Sequence, residues 1–161
     1  TSKHRLLIYI LNWYWSYLEF LTEMLIPADT PACDKLRRLL TIITHCQKNE
    51  RQLMDYNLDH LHNIVISDSS KSYLVKEVDT INKEMAFNPL KSLCKRISAI
   101  ILEIRPDYPY ARSLASTLLE TAHDQQFFSE HLPSLTDNMS HQQHKKYVLN
   151  YLTQLAFSAI K

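Results

Sequence analysis

The chain has 161 residues, of which 45% are hydrophobic and 22% are charged, so it is long enough for one domain with its own core. It contains no glycine, which excludes a glycine-rich phosphate loop, a dinucleotide-binding turn and a nucleophile elbow. The formal net charge is only +1, whereas domains that bind duplex nucleic acid are usually strongly basic because they neutralise many phosphates.

Apolar residues recur with the 3.6-residue period of helices, and proline separates the periodic segments. The pattern predicts about seven helices, near 4–26, 31–47, 50–66, 69–87, 89–105, 109–130 and 141–160. We therefore expect one all-α domain over 1–161, with antiparallel helices in a bundle or a short irregular α-solenoid. Because the sequence starts without Met and ends within a helical pattern, we also expect it to be part of a longer chain.

The first predicted helix is unusually aromatic, with six aromatic residues between positions 9 and 20. Residues three and four positions apart lie on the same face of a helix. We expect one such face of this helix to enter the core, and it consists of Trp13, Tyr17, Phe20, Leu21 and Met24. Tyr14 and Trp15 would then lie nearer the edge, with Tyr9. These three residues are the candidates for a surface that contacts another protein, since Trp and Tyr often anchor interfaces.

The same segment, from Leu6 to Ile26, is long enough to be tested as a membrane span. Glu19 and Glu23 lie within it, and each acidic residue costs about 3 kcal/mol near the centre of a bilayer. No small-residue cleavage site follows a short apolar run, as a signal peptide would require. We expect a buried or interface helix instead.

The three cysteines, Cys33, Cys46 and Cys94, are widely spaced and form no C-x-x-C pair. An odd number of scattered cysteines is typical of reduced, small apolar side chains, so we expect an intracellular protein, cytoplasmic or nuclear. His45 and Cys46 are adjacent, and adjacent helical residues point about 100° apart. They do not form a nucleophile–base pair, and we name no catalytic residue.

Two acid-x-x-His pairs have the spacing that di-iron helical bundles use. Glu120 and His123 form one pair, and Asp59 and His62 form the other. A di-iron site also needs inward carboxylates from two further helices, which the sequence does not identify. Two such pairs are unremarkable among 17 acidic residues and eight histidines.

His141 and His144 stand one turn apart at the predicted start of the last helix. Further ligands at zinc spacing are missing, and a polar helix start capped by Ser140 is the simpler interpretation. We therefore predict no metal and no cofactor.

Basic residues cluster at three places, 35–38, 91–96 and 145–146, and two clusters that the fold brings together would form an anion site. The candidate anion-binding residues are Lys91, Lys95, Arg96, Lys145 and Lys146. Lysine and arginine side chains that converge near a helix N-terminus can hold a phosphate or an inositol phosphate head group. The alternative is that these are solvated helix faces.

These observations favour a non-enzymatic helical interaction or scaffold module, which binds another protein or neighbouring helical repeats of the parent chain. There is no strong case for a nucleic-acid partner. One alternative is a domain that binds phosphate or phosphoinositide head groups at a membrane surface. The other is a metal-dependent helical-bundle enzyme that uses Glu120 and His123.

Overall fold

A computed structural model describes residues 2–46, 58–138 and 143–161. These residues form seven α-helices: α1 (Ser2–Leu25), α2 (Ala32–Ile43), α3 (Leu58–Asp68), α4 (Val78–Lys83), α5 (Asn88–Ile104), α6 (Ala111–His131) and α7 (His144–Ile160). Two short 3₁₀ turns follow α3 and α6, at Ser69–Ser72 and Pro133–Leu135. Of the described residues 79% are helical and none is in a strand, which confirms the predicted fold class.

The helices pack as a bundle around α5 and α6. Helix α5 contacts α1, α2 and α6, while α6 also contacts α3 and α7. Helix α2 contacts α7, which comes near the end of the chain. A solenoid repeat touches only its neighbours in sequence, so this contact favours the bundle. The centre of the core is aliphatic and includes Leu11, Leu18, Leu36, Leu40, Ile97, Ile101, Leu118, Val148 and Leu152.

The predicted helix over 69–87 is wrong, because this segment divides into a 3₁₀ turn, an irregular stretch and the six-residue α4. Within the 3₁₀ turn, the Ser72 hydroxyl donates to the Ser69 carbonyl oxygen at 2.7 Å. Such local side-chain bonds to the backbone compete with the helical ladder. Two parts of the predicted helices, 50–57 and 141–142, lie outside the described residues.

Two helices end in a left-handed residue that is not glycine. At the end of α2, His45 has φ 58°; its N–H donates to the Ile42 oxygen, and the Cys46 N–H donates to the Thr41 oxygen. Met85 ends α4 with the same arrangement and φ 62°. This is the Schellman pattern, in which glycine is usual because other residues resist positive φ. The turn at the end of α2 positions the His45 ring in the core.

Among the described helices, none combines the length and the hydropathy needed to cross a membrane.

Candidate functional site

Helix α1 presents a stripe of large apolar side chains to solvent, with exposed fractions between 36% and 72%. We call it the α1 stripe, and it consists of Leu6, Tyr9, Trp13, Phe20 and Met24. Three of these residues belong to the face that we expected in the core. Tyr14 and Trp15, expected near the edge, are only 1% and 2% exposed. The predicted orientation of α1 is therefore wrong by about a third of a turn, and of the three candidate contact residues only Tyr9 is at the surface.

The error is explained by two acidic residues, because acidic side chains usually mark the face of a helix that lies opposite the core. Glu19 and Glu23 instead lie at the border between α1 and α5, where Arg96 bridges them. The Ser92 hydroxyl also donates to the Glu19 carboxylate at 2.7 Å. Because these carboxylates find partners on α5, the neighbouring face of α1 can be buried.

Beneath α1 lies a buried group of polar side chains, which we call the histidine cluster: Tyr14, His45, His62, Ser69 and His123. The Tyr14 hydroxyl lies 2.7 Å from His45 Nε2 and 3.4 Å from His123 Nε2. On its other side, His123 Nδ1 lies 3.4 Å from Ser69 Oγ. The rings of His45 and His62 pack with their centroids 4.2 Å apart. Residues from α1, α3, α6, the end of α2 and the 3₁₀ turn thus meet in one place.

Two imidazoles of the histidine cluster, those of His62 and His123, favour the neutral form. Burial, together with the neighbouring His45, Lys145 and His123, lowers the pKa of His62 to about 2. Burial also lowers the pKa of His123 to about 3, with a contribution from His45. A neutral imidazole has one donor and one acceptor nitrogen, and a tyrosine hydroxyl can donate to one ring while it accepts from another. The Tyr14 hydroxyl can therefore find partners in the cluster without a charge on His123.

The structure brings together the two histidines of the acid-x-x-His pairs, His62 and His123, but gives Glu120 a different partner from His123. The Tyr73 hydroxyl donates to the Glu120 carboxylate, whereas His123 belongs to the histidine cluster. His144 Nδ1 lies 3.0 Å from the Asn138 amide nitrogen. The side chain of Asp59 and all of His141 and Ser140 lie outside the described residues. Within the described part of the chain, no group of three or more His, Cys, Asp or Glu side chains is placed to hold a metal ion.

A cleft of about 650 Å³ lies between α5 and α6. We call it the α5–α6 cleft; its lining includes Lys91, Lys95 and Arg112, with Leu90, Cys94, Leu119, Tyr73 and Glu120. Two of the five predicted anion-binding residues are therefore brought together. They are joined by Arg112, which sequence analysis missed because it stands alone in the first turn of α6.

The other three predicted cations do not line this cleft. Arg96 points to α1, where it pairs with Glu19 and Glu23. Lys145, at the start of α7, contributes to the lowered pKa of His62. Lys146 is exposed on the same helix. The two basic clusters therefore do not meet in this cleft, because α5 and α7 present them to different neighbours.

Burial shifts the pKa values of Glu120 and Cys94, which line this cleft. It raises the pKa of the Glu120 carboxyl, as does nearby Asp124, while the hydrogen bond from Tyr73 opposes the rise. It also raises the pKa of the Cys94 thiol, against a smaller opposite effect of Arg112. A thiol reacts as the thiolate, so Cys94 is a poor nucleophile. The Cys94 thiol instead donates a weak hydrogen bond to the Arg112 carbonyl oxygen, which lies 3.7 Å from the sulfur.

No protein-family model matches the chain, and neither does any curated protein or solved structure with which it was compared. What the chain does is therefore inferred from the α1 stripe, the histidine cluster and the α5–α6 cleft.

Proposed function

We propose that the chain is a non-enzymatic helical interaction module that binds an amphipathic helix of another protein through the α1 stripe. The observation that carries the proposal is the alignment of five exposed apolar side chains along one face of a single 24-residue helix. Leu6, Trp13 and Phe20 are seven residues apart, the spacing by which helices pair side by side. At 1.5 Å per residue, the stripe from Leu6 to Met24 is about 27 Å long.

The composition of the α1 stripe suits an interface. Trp and Tyr are enriched among the residues that contribute most to binding, and monomers rarely leave large contiguous apolar patches uncovered. The indole of Trp13 stacks on the Tyr17 ring, with centroids 5.7 Å apart and planes 12° apart. A side chain held in this way loses less conformational entropy on binding.

The charges beside the α1 stripe are already paired within the chain. Arg5 lies 3.3 Å from Glu84, and Glu23 is bound by Arg96. Such exposed pairs contribute little to stability, but they leave the border of the stripe with balanced charge. The complementary surface is therefore an apolar helix face rather than a strongly charged segment.

The histidine cluster does not compete with this proposal as a catalytic site. Its imidazoles belong to buried residues, and those of His45 and His123 lie within hydrogen-bond distance of the Tyr14 hydroxyl. A substrate would need direct access to a reactive nitrogen, within about 3 Å. The cluster instead supports the bundle beneath the helix that carries the stripe.

The test is a selection of displayed amphipathic helical peptides for binding to the whole chain. In a Trp15→Phe background, Trp13 reports docking by a blue shift of its emission. The double variant Tyr9→Glu with Phe20→Glu should weaken the selected peptides more than tenfold, because two charges would be buried. Leu74→Glu with Leu135→Glu is the matched control, since both residues are exposed apolar side chains outside α1, and it should bind normally.

Thermal melts should show that both double variants are folded, because all four positions are exposed. Failure to select any helix, or binding that survives the change in α1, would refute the proposal. Sedimentation equilibrium adds a further outcome. If the chain forms a dimer that the double variant Tyr9→Glu with Phe20→Glu dissociates, the partner of the α1 stripe is a second copy of the chain.

A further inference from the structure

The α5–α6 cleft combines positive charge with apolar walls. Lys91 and Lys95 come from neighbouring turns of α5, and Arg112 comes from the first turn of α6. Lys91 donates to the Asn82 side-chain oxygen, which is neutral. Neither Lys95 nor Arg112 forms an ion pair with a carboxylate of the described residues. Three cationic groups therefore border one cleft, and none of them forms an ion pair with a carboxylate of the described residues.

Between these cations the lining is apolar. Leu90 and Cys94 from α5 and Leu119 from α6 form the walls, and the aliphatic stems of the two lysines extend them. The Tyr73 ring lies beside the cleft and is braced edge-on by Phe87, with centroids 6.4 Å apart. These surfaces offer contacts to hydrocarbon but few hydrogen bonds to a sugar or an inositol ring.

The acidic residue that lines the cleft does not cancel its positive charge. The carboxylate of Glu120 accepts the hydroxyl of Tyr73, and no ion pair joins it to a cation of the described residues. An anion entering at the lysines and the arginine would therefore meet unneutralised donors.

We propose that the α5–α6 cleft binds a small amphipathic anion, with one carboxylate or phosphate group and a single hydrocarbon chain. Lys95 and Arg112 hold the anionic group together with Lys91, and the hydrocarbon packs against Leu90, Cys94 and Leu119. A volume of about 650 Å³ lies within the range of about 300–1,000 Å³ that is usual for small-molecule sites. This ligand uses residues different from those of the α1 stripe, so the two proposals stand or fall separately.

The first experiment is calorimetric titration of the whole chain with four ligands whose hydrocarbon tails contain seven or eight carbons. Octanoate and octyl phosphate should bind, whereas neutral octanol and cationic octylammonium should bind at least about tenfold more weakly, because charge-assisted hydrogen bonds are lost. Shorter carboxylates should lose affinity by up to about fourfold per methylene removed. Inorganic phosphate binding as tightly as octyl phosphate, or octanol binding as tightly as octanoate, would overturn the proposal.

Matched charge variants then locate the site. Lys95→Gln with Arg112→Gln should weaken octanoate by more than about tenfold. Arg38→Gln with Lys146→Gln removes the same charge from exposed positions outside the cleft and should leave the affinity unchanged. All four residues are exposed, so thermal melts should show folded variants. Equal losses in the two double variants would overturn the assignment to this cleft.

The anionic group could belong to a free metabolite or to a membrane lipid. Phosphatidylcholine vesicles with and without lysophosphatidate, a phosphate lipid with one hydrocarbon chain, distinguish these sources. Retention on the lysophosphatidate vesicles would identify a lipid source if Lys95→Gln with Arg112→Gln abolishes it. Binding of octanoate without retention would identify a free source. Binding to neither the vesicles nor the octyl ligands would refute the proposal.

Discussion

Tyr14 is a polar side chain at the centre of an apolar bundle. A buried hydroxyl without a partner destabilises a protein by about 1–3 kcal/mol, but this one lies between His45 and His123. Two buried imidazoles of the same cluster, those of His62 and His123, have lowered pKa values. The stability of the core therefore depends on these two rings staying neutral.

Acid should unfold the protein through His62 and His123. Their native pKa values of about 2 and about 3 lie far below the ordinary value of 6.5. The unfolded state therefore binds more protons below about pH 6.5, and the free energy of unfolding decreases as the pH falls. The slope is about 1.4 kcal/mol per pH unit for each imidazole. Glu120 and Asp124, whose pKa values are raised by burial, act in the opposite direction.

Urea denaturation between pH 7 and pH 5 measures this slope, and it is compared with that of His62→Gln. Between pH 7 and pH 5 the variant should lose about 2 kcal/mol of the dependence in total, whatever its stability at pH 7, because the full slope of about 1.4 kcal/mol per pH unit is reached only well below pH 6.5. Because the carboxyls are common to both proteins, their contribution cancels in the difference. An identical slope in the two proteins would show that His62 is already protonated in the native state.

The two tryptophans should respond differently to truncation. Trp15 is 2% exposed, so Trp15→Ala should cost about 3–5 kcal/mol of unfolding free energy. Trp13 is 36% exposed, and Trp13→Ala should cost about 1 kcal/mol while it weakens the helical peptides selected above. Urea denaturation of both variants checks the first expectation. A larger loss for Trp13→Ala would mean that α1 is oriented as its sequence first suggested.

At the scale of elements, helices α2 and α4 end in Schellman motifs without glycine. Their left-handed residues, His45 and Met85, differ in what surrounds them. His45 is buried and bonded to Tyr14, whereas Met85 is exposed and contributes mainly its backbone. The end of α4 is thus a place where the residue type opposes the local conformation.

Met85→Gly should be more stable than Met85→Ala by about 1 kcal/mol. The left-handed conformation destabilises a residue with a Cβ by about 1–2 kcal/mol. The flexibility of glycine in the unfolded chain offsets part of this gain. Both variants remove the same exposed side chain, so their difference isolates the backbone. Urea denaturation measures it. His45→Gly provides the contrast, and it should destabilise the protein through loss of the bond to Tyr14. Equal stability of Met85→Gly and Met85→Ala would contradict the expectation.

The lengths of α5 and α6 were predicted well, whereas the segment between α3 and α5 was not. Proline and a long 3.6-residue pattern mark α5 and α6 locally. The segment 69–87 has the same apolar spacing, but Ser72 bonds to its own backbone and Met85 turns the chain. Periodicity does not reveal such local competition.

At the scale of the whole molecule, the bundle should unfold as one unit. Helix α5 joins α1, α2 and α6 in one core, so the loss of one helix exposes the others. Far-ultraviolet circular dichroism should show more than about 60% helix, well above the one-third typical of globular proteins. In a Trp13→Phe variant, Trp15 fluorescence and circular dichroism should follow the same urea transition. Separate transitions would indicate the independent units of a solenoid.

The amino-acid sequence by itself determined that the protein is helical and where most helices lie, because the 3.6-residue period and the prolines are local signals. It did not determine the orientation of α1. That helix is apolar on most of its faces, so its sequence permits several rotations, and contacts of Glu19 and Glu23 with α5 select one. Only the tertiary structure brought together Tyr14, His45 and His123 or placed Arg112 beside Lys95, since these residues are far apart along the chain and a period along one helix carries no information about its neighbours.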